Sequence, residues 1–410
     1  MNDDQPAAKP AKSAVKADDS KETFRTPEEV AAEDSLDTEP AEGSPPADEA
    51  PRAPAPPTTS KWKERMRLHW PPGKKEWIVF IIVLLLAAGA AYALFRDHRP
   101  ATLKPIPAAT ETTEPSKLSG LPVDPEVNKR TVTGVMIENS PAARPQAGLG
   151  EASVVFEAIA EGGITRFLAL YQDTAPDNIG PVRSARPYYA QWNLGFDAGY
   201  AHVGGSPQAM ADIKAWGVRD LDQFFNAGAY HRVSSRPAPH NVFTGIPALS
   251  QLEVQKGYVT STFTGFNRKK KANPDKKQPP AAKTINLNIS GAVYNVRYDY
   301  NQTANNYSRF VGGTAHTDAN TNKQISPVVV IALVMPYGLA GDGYHSNYNT
   351  LGSGPVYVFQ DGKVITGKWA KADNKSQFTF TDDTGKPIKL NPGITWLTAV
   401  AGIDRVTHAP

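Results

Sequence analysis

The chain has 410 residues, 40% hydrophobic and 21% charged, and its 44 Lys and Arg against 41 Asp and Glu leave a net charge of +3. That length exceeds one ordinary domain, and so small a charge excludes the broad basic face of a nucleic-acid binder. Cysteine is absent, which excludes disulfide frameworks, thiolate metal sites, cysteine nucleophiles and cysteine-linked lipids.

Residues 1–60 hold 14 acidic and six basic residues among Ala, Pro, Ser and Thr. With so little apolar surface to bury, they read as a disordered cytoplasmic tail. Residues 61–76 reverse the sign, with Lys61, Lys63, Arg65, Arg67, Lys74 and Lys75 beside Trp62 and Trp70. Residues 77–95, WIVFIIVLLLAAGAAYALF, carry no charge and make about 28 Å of helix, enough to cross a bilayer once. Their long preface favours an uncleaved signal-anchor over a cleaved signal peptide. The excess of Lys and Arg on the N-terminal side places the tail in the cytoplasm and the rest outside. Residues 96–117 are a Thr-, Pro- and Ala-rich stalk. A basic, proline-rich linker at 267–285 then separates an outer domain at 118–266 from a second at 286–404.

In the first outer domain, strand patterns fall at Val132–Ile137, Ser153–Ala160, Ile164–Tyr171 and Ala198–Val203, and helical ones at Val182–Asn193, Pro207–Trp216 and Ile246–Lys256. Their alternation predicts an α/β or α+β N-terminal ectodomain. In the second domain the patterns at Val293–Tyr300, Tyr307–Val311, Val328–Met335, Val356–Phe359, Lys363–Trp369, Gln377–Thr381 and Ile394–Val400 are all strand-like. They predict a mainly antiparallel β domain, with Asp361-Gly362 as a hairpin turn.

The strings LSGLPVD (118–124), VMIENSPAARPQAGLGEASVVFEAIAEGGITRFLALY (135–171), IGPVRSARPYY (179–189) and HVGGSP (202–207) closely resemble the YerB-like lipoprotein family. GSGPVYVFQDGKVITGKW (352–369) and KPIKLNPGITWL (386–397) resemble that family's separate C-terminal domain. The resemblance implies an envelope-anchored bacterial protein of two outer domains and says little about chemistry. Typical members carry a lipid-bearing cysteine, which this chain lacks.

Arg183 and Arg186 lie three apart and share a face on the predicted helix, where two guanidinium forks suit phosphate or carboxylate. The plainer alternative pairs them with Glu157 or Glu161. After a strand ending at Val203, Gly204, Gly205 and Ser206 lead into a helix that Ser206 can cap and Pro207 can open, so backbone N–H groups face the loop. An ordinary strand-to-helix turn reads the same way. The segment Tyr230–Asn241 packs His231, Arg232, Arg236 and His240 into a proline-punctuated loop, suited to anion contact or proton transfer rather than to metal.

Glu157 and Glu161, four apart and read on one side of a sheet, offer a carboxylate pair for glycan chemistry with His202 or His240 as acid or base. Trp369 and Trp396 read as core residues, and His316 as a loop histidine near the domain junction.

The leading expectation is a protein that binds an anionic wall polymer or precursor through Arg183, Arg186, Gly204, Gly205, Ser206, Arg236 and His240. Its other partner is the bilayer; no nucleic acid, cofactor or metal is called for. The alternatives are a hydrolase or transferase acting on wall glycan or phosphodiester, using His202, His240, Glu157 or Glu161, and a non-catalytic envelope scaffold.

Overall fold

The structure, a computed structural model, describes residues 113–275 and 277–410. The predicted tail, the basic stretch, the 77–95 span and the stalk as far as residue 112 lie outside the described residues. Among those described, no helix is long and apolar enough to cross a membrane.

The first outer segment contributes strands β1 (Thr133–Glu138), β2 (Val154–Glu161), β3 (Ile164–Tyr171), β4 (Gly199–Ala201) and β5 (Arg219–Asp220). The second contributes β6 (Thr284–Leu287), β7 (Val296–Asn301), β8 (Asn306–Val311), β9 (Thr314–Ala315), β10 (Val329–Val334), β11 (Gly352–Gln360), β12 (Lys363–Lys371), β13 (Thr379–Asp382), β14 (Thr395–Val400) and β15 (Val406–Ala409). One sheet of ten strands runs β13-β12-β11-β10-β14-β2-β3-β1-β4-β5, and a second of five runs β9-β8-β7-β6-β15.

This overturns the expectation of an α/β or α+β domain beside a separate antiparallel β domain. The described chain is mostly β with few helices, and both segments build the same sheet. The seam is β14, which lies between β10 and β2 and runs parallel to both, Val329 opposite Thr395 and Thr395 opposite Val154.

The physical reason is burial. Strands β1, β2, β10 and β14 are buried at every position, and strands apolar on both faces need cover on both faces. By contrast, β7 and β8 alternate buried with more open positions, as a sheet with one wet face requires.

Three short helices complete the cover: α1 (Pro187–Leu194), α2 (Pro207–Trp216) and α3 (Ile246–Gln255). On one face of the large sheet, Phe156, Leu168, Leu333 and Leu397 pack under α1 and α2 against Tyr189, Trp192 and Ile213. On the other, Val155, Phe167 and Trp396 pack under α3 and the small sheet against Leu249, Tyr298 and Tyr307. Each such side chain contributes about 1.5–3 kcal/mol on burial.

The first helix begins five residues later than its periodicity predicts. Proline disfavours helix in the residue before it, so Arg186 is extended (φ −132°, ψ 152°) and Pro187 opens the helix. Residues 182–185 instead run along the end of β1, where the Arg183 N–H donates to the Met136 carbonyl at 3.0 Å.

Between the two sheets lies a charged pair with no exposure: Arg309 of β8 donates to both oxygens of Glu157 of β2, at 3.0 and 2.9 Å. Trp396 Nε1 (3.1 Å) and Thr165 Oγ1 (3.3 Å) donate to the same carboxylate. Arg309 also donates to Tyr298 Oη at 2.7 Å and to His316 Nδ1 at 2.9 Å. Burial, and then Arg309, push the His316 imidazole well below its ordinary value. The ring is therefore neutral, and its Nε2 donates to Gln146 at 2.8 Å.

Removing one partner of such a pair strands the other charge. Arg309→Met is expected to destabilise the protein by about 3–5 kcal/mol, and Glu157→Gln added to it should restore part of the loss. An unchanged urea midpoint for Arg309→Met would contradict this.

A second buried carboxyl is unpaired. Glu253 of α3 lies over β4, where Gly199 leaves it room: a Cβ there would stand 2.2 Å from Glu253 Oε1. Burial raises its pKa to about 8, against the smaller lowering effects of the Thr133 hydroxyl and Arg219. The folded state therefore holds this proton more tightly than the unfolded chain. The stability it confers is full below the unfolded value and is lost as pH rises through about 8. Melting temperature is expected to fall between about pH 5 and pH 9, and Glu253→Gln to flatten that decline. Parallel profiles for the two proteins would refute the assignment.

Candidate functional site

Strands β1, β4 and β5 are mutually parallel, and most of the sequence-predicted site residues gather beyond their C-terminal ends, where parallel sheets commonly bind ligands. They do not form a single cationic hollow. Residues 183 and 186 lie on extended chain, so side chains three apart point to opposite sides.

Arg183 turns to Glu138, with Nε 3.6 Å from its carboxylate. His240 Nδ1 meets both oxygens of the same Glu138 at 2.9 Å. Burial favours the neutral Glu138 carboxyl, but the His240 bond and the Arg183 charge hold it below its ordinary value.

Arg186 turns the other way, 3% exposed, with Nε 3.1 Å and a terminal nitrogen 2.5 Å from Glu161. Arg166 takes the other oxygen of Glu161. Burial would raise the Glu161 pKa, yet Arg166 and then Arg186 hold it down, so it remains an anion between two cations.

Arg236 donates to the carbonyls of Ala143 and Pro145, at 2.5 and 2.6 Å. His202 is fully buried, with Nδ1 2.8 Å from the Gly204 carbonyl and Nε2 3.0 Å from Asp220. Gly204, at φ +54°, donates its N–H to Asp222 at 2.8 Å. Gly205 lies across from Ala185. Ser206 caps α2, its Oγ accepting from the Ala209 N–H. Arg183 and His240 thus meet at Glu138, while Arg186, His202 and Arg236 each have partners elsewhere.

The carboxylate pair is also divided. The β2–β3 register shifts between Ile159 and Glu161, and a bulge of this kind re-aims the side chains beyond it. Glu157 therefore faces Arg309 and the small sheet, whereas Glu161 faces Arg166 and Arg186. Trp369 and Trp396 pack in the core as expected, at 3% and 0% exposure. His316 belongs to the Glu157 network rather than to an open site. The basic run at 267–285 is partly built in, with Lys269 2.8 Å from Asp361.

A cleft that the sequence reading missed, of about 710 Å³, lies beside this region. Tyr188 and Gln191 of α1, Trp216 of α2 and its cap Ser206 form one wall. A hairpin pairing Tyr337–Leu339 with Ser346–Tyr348 forms the other. Tyr348 anchors the hairpin: its ring packs on Tyr188 at 4.8 Å, and its hydroxyl accepts from the Ile159 N–H at 3.1 Å. At the rim, His345 Nδ1 lies 2.6 Å from Asp342. That bond, and the N–H groups of Tyr344 and His345, hold Asp342 well below the usual carboxylate range. Among the described residues, no Lys or Arg lines the cleft. Its one visible sequence signal is the density of Tyr, Gly and Asn in PYGLAGDGYHSNYN (336–349).

With this fold, the chain belongs to the YerB-like family. Residues 118–259 match the N-terminal domain, and residues 285–397 the C-terminal domain, of the protein of unknown function DUF3048. A relative, the putative lipoprotein YerB of Bacillus subtilis (strain 168), is 28% identical over 344 residues, which are 80% of this chain and 97% of that protein. The crystal structure of YerB from Bacillus subtilis is similar with a TM-score of 0.64 at 29% identity, over 72% of this chain and 99% of that one.

Proposed function

We propose that this is an envelope-associated binding protein that holds a polyhydroxylated glycan segment in the cleft between α1, α2 and the 337–348 hairpin. Envelope association is supported by the relative's name as a lipoprotein. The observation that carries the ligand class is the lining of the cleft. Trp216 and the exposed amides Asn347 and Asn349 stand over a floor of the buried Tyr188, Tyr348 and Gln191, with no Lys or Arg among the described lining residues. Sugar rings present apolar C–H faces to aromatic side chains and hydroxyls to amides, and a cleft of this volume has the size of a small-ligand site.

An anionic polymer finds less support, because the arginines of the neighbouring region already have partners. A hydrolase reading finds less as well: Glu157, Glu161 and His202 are buried to within 3%, with donors or charges already on them.

Titration of the purified full-length protein with the β-1,4 tetramer of N-acetylglucosamine is expected to show saturable binding. Affinity should fall at least tenfold in Trp216→Ala and in the exposed pair Asn347→Ala/Asn349→Ala, and persist in Arg236→Ala. Binding indifferent to both cleft variants, or lost with Arg236→Ala, would overturn the reading in favour of the arginine-lined region.

A further inference from the structure

A second cleft, of about 870 Å³, lies where residues 262–268 run alongside residues 375–381. Its wall is aromatic. Phe266 and Phe380 have ring centroids 5.7 Å apart, Phe378 stacks on Phe380 at 6.5 Å, and Phe196 bridges Phe263 and Phe266 at 5.8 and 5.7 Å. Among the described residues no Asp or Glu lines this cleft, whereas Arg268 and Lys375 do.

The charge around it is only partly compensated. Arg268 donates only to uncharged oxygens, the carbonyls of Leu118, Asn391 and Gly393 and the hydroxyl of Thr395. Its Nε, like Gln377 Nε2, has no acceptor among the described residues. Burial lowers its pKa to about 10, and Asp173 opposes that only at a distance. Lys371, 2% exposed, lies behind the wall with Nζ 6.0 Å from the Phe378 ring and donates to the carbonyls of Asn374 and Ser376. Asp373 acts on Lys371 through its charge, and its carboxylate accepts from the N–H groups of Lys375 and Ser376, at 2.8 and 2.7 Å.

A desolvated cation bonded to carbonyls rather than to a carboxylate leaves a positive potential that water screens poorly. Here that potential borders an apolar groove of ligand size.

We propose that this second cleft binds a single-chain anionic amphiphile: a fatty-acyl tail laid along the phenylalanine wall and a carboxylate or phosphate head at the exposed Lys375. Arg268 and Lys371, tied to carbonyls, attract the head without touching it. The lining distinguishes this site from the glycan cleft, which has no Lys or Arg.

The test is displacement of a fluorescent fatty-acid analogue from the purified full-length protein. Palmitate is expected to displace it, hexadecanol at least tenfold more weakly, and acetate not at all. Lys375→Gln should narrow the gap between palmitate and hexadecanol several-fold. Thr264→Trp, at the exposed rim, should block analogue binding without disturbing the core, while Trp216→Ala should leave it unchanged. Equal potency of palmitate and hexadecanol would remove the anionic head from the proposal. Binding indifferent to Thr264→Trp would move the site elsewhere, and an analogue that does not bind would leave the groove to an extended peptide; either result overturns the proposal.

Discussion

The Glu157–Arg309 pair is the constraint on which the rest of the described structure depends. It joins a residue from the segment matched at 118–259 to one from the segment matched at 285–397, at a depth where water reaches neither. Taking both charges out of water is costly, and only a full set of partners offsets it. Trp396, Thr165, Tyr298 and His316 supply those partners, and Arg309 also lies over the Trp396 ring at 4.3 Å. Because Trp396 is on β14, the strand between β10 and β2, the same carboxylate that orients the small sheet also fixes the seam of the large one. A slip of one residue along that seam would turn Trp396 to the opposite face and leave the carboxylate short of a donor.

Much of the local structure was legible because it is encoded locally. Ile164–Tyr171 has both ends where its pattern predicts them, since Glu161, Gly162 and Gly163 mark the turn before it. The second helix was equally plain, with Ser206 as cap, Pro207 at its first position and Gly217 in the left-handed conformation at its end. The seam was not legible. It pairs Trp396 with Glu157, 239 residues away, and nothing in either strand announces the other. Both strands are buried at every position although each carries polar residues, Glu157 and Glu161 in one and Thr395 and Thr398 in the other, so their sequences do not announce cover on both faces.

The expected convergence of Arg183 and Arg186 turns on a single backbone decision. Arg183 and Arg186 share a face only on a helix, and Pro187 makes the residues before it extended. Once they are extended, the two guanidinium groups separate to Glu138 and Glu161. The cation-rich spacing therefore leads to two buried carboxylates, Glu138 and Glu161, on opposite sides of the chain. The local conformation decided which, and a residue outside the spacing set that conformation.

The net charge of +3 conceals how unevenly charge meets the surface. One cleft is lined by aromatic rings, amides and the carboxylates Asp212 and Asp342; the other by aromatic rings and cations. Each has one wall from the first half of the outer chain, α1 and α2 or residues 262–268, and one from the second, the 337–348 hairpin or residues 375–381. Neither half alone presents a concave surface with both walls. The clefts therefore exist only while β14 holds β10 against β2, and a polar group buried 0% exposed at that seam controls surfaces it never touches. The two sequence segments that match as separate domains build the cleft of about 710 Å³ jointly, one wall from each.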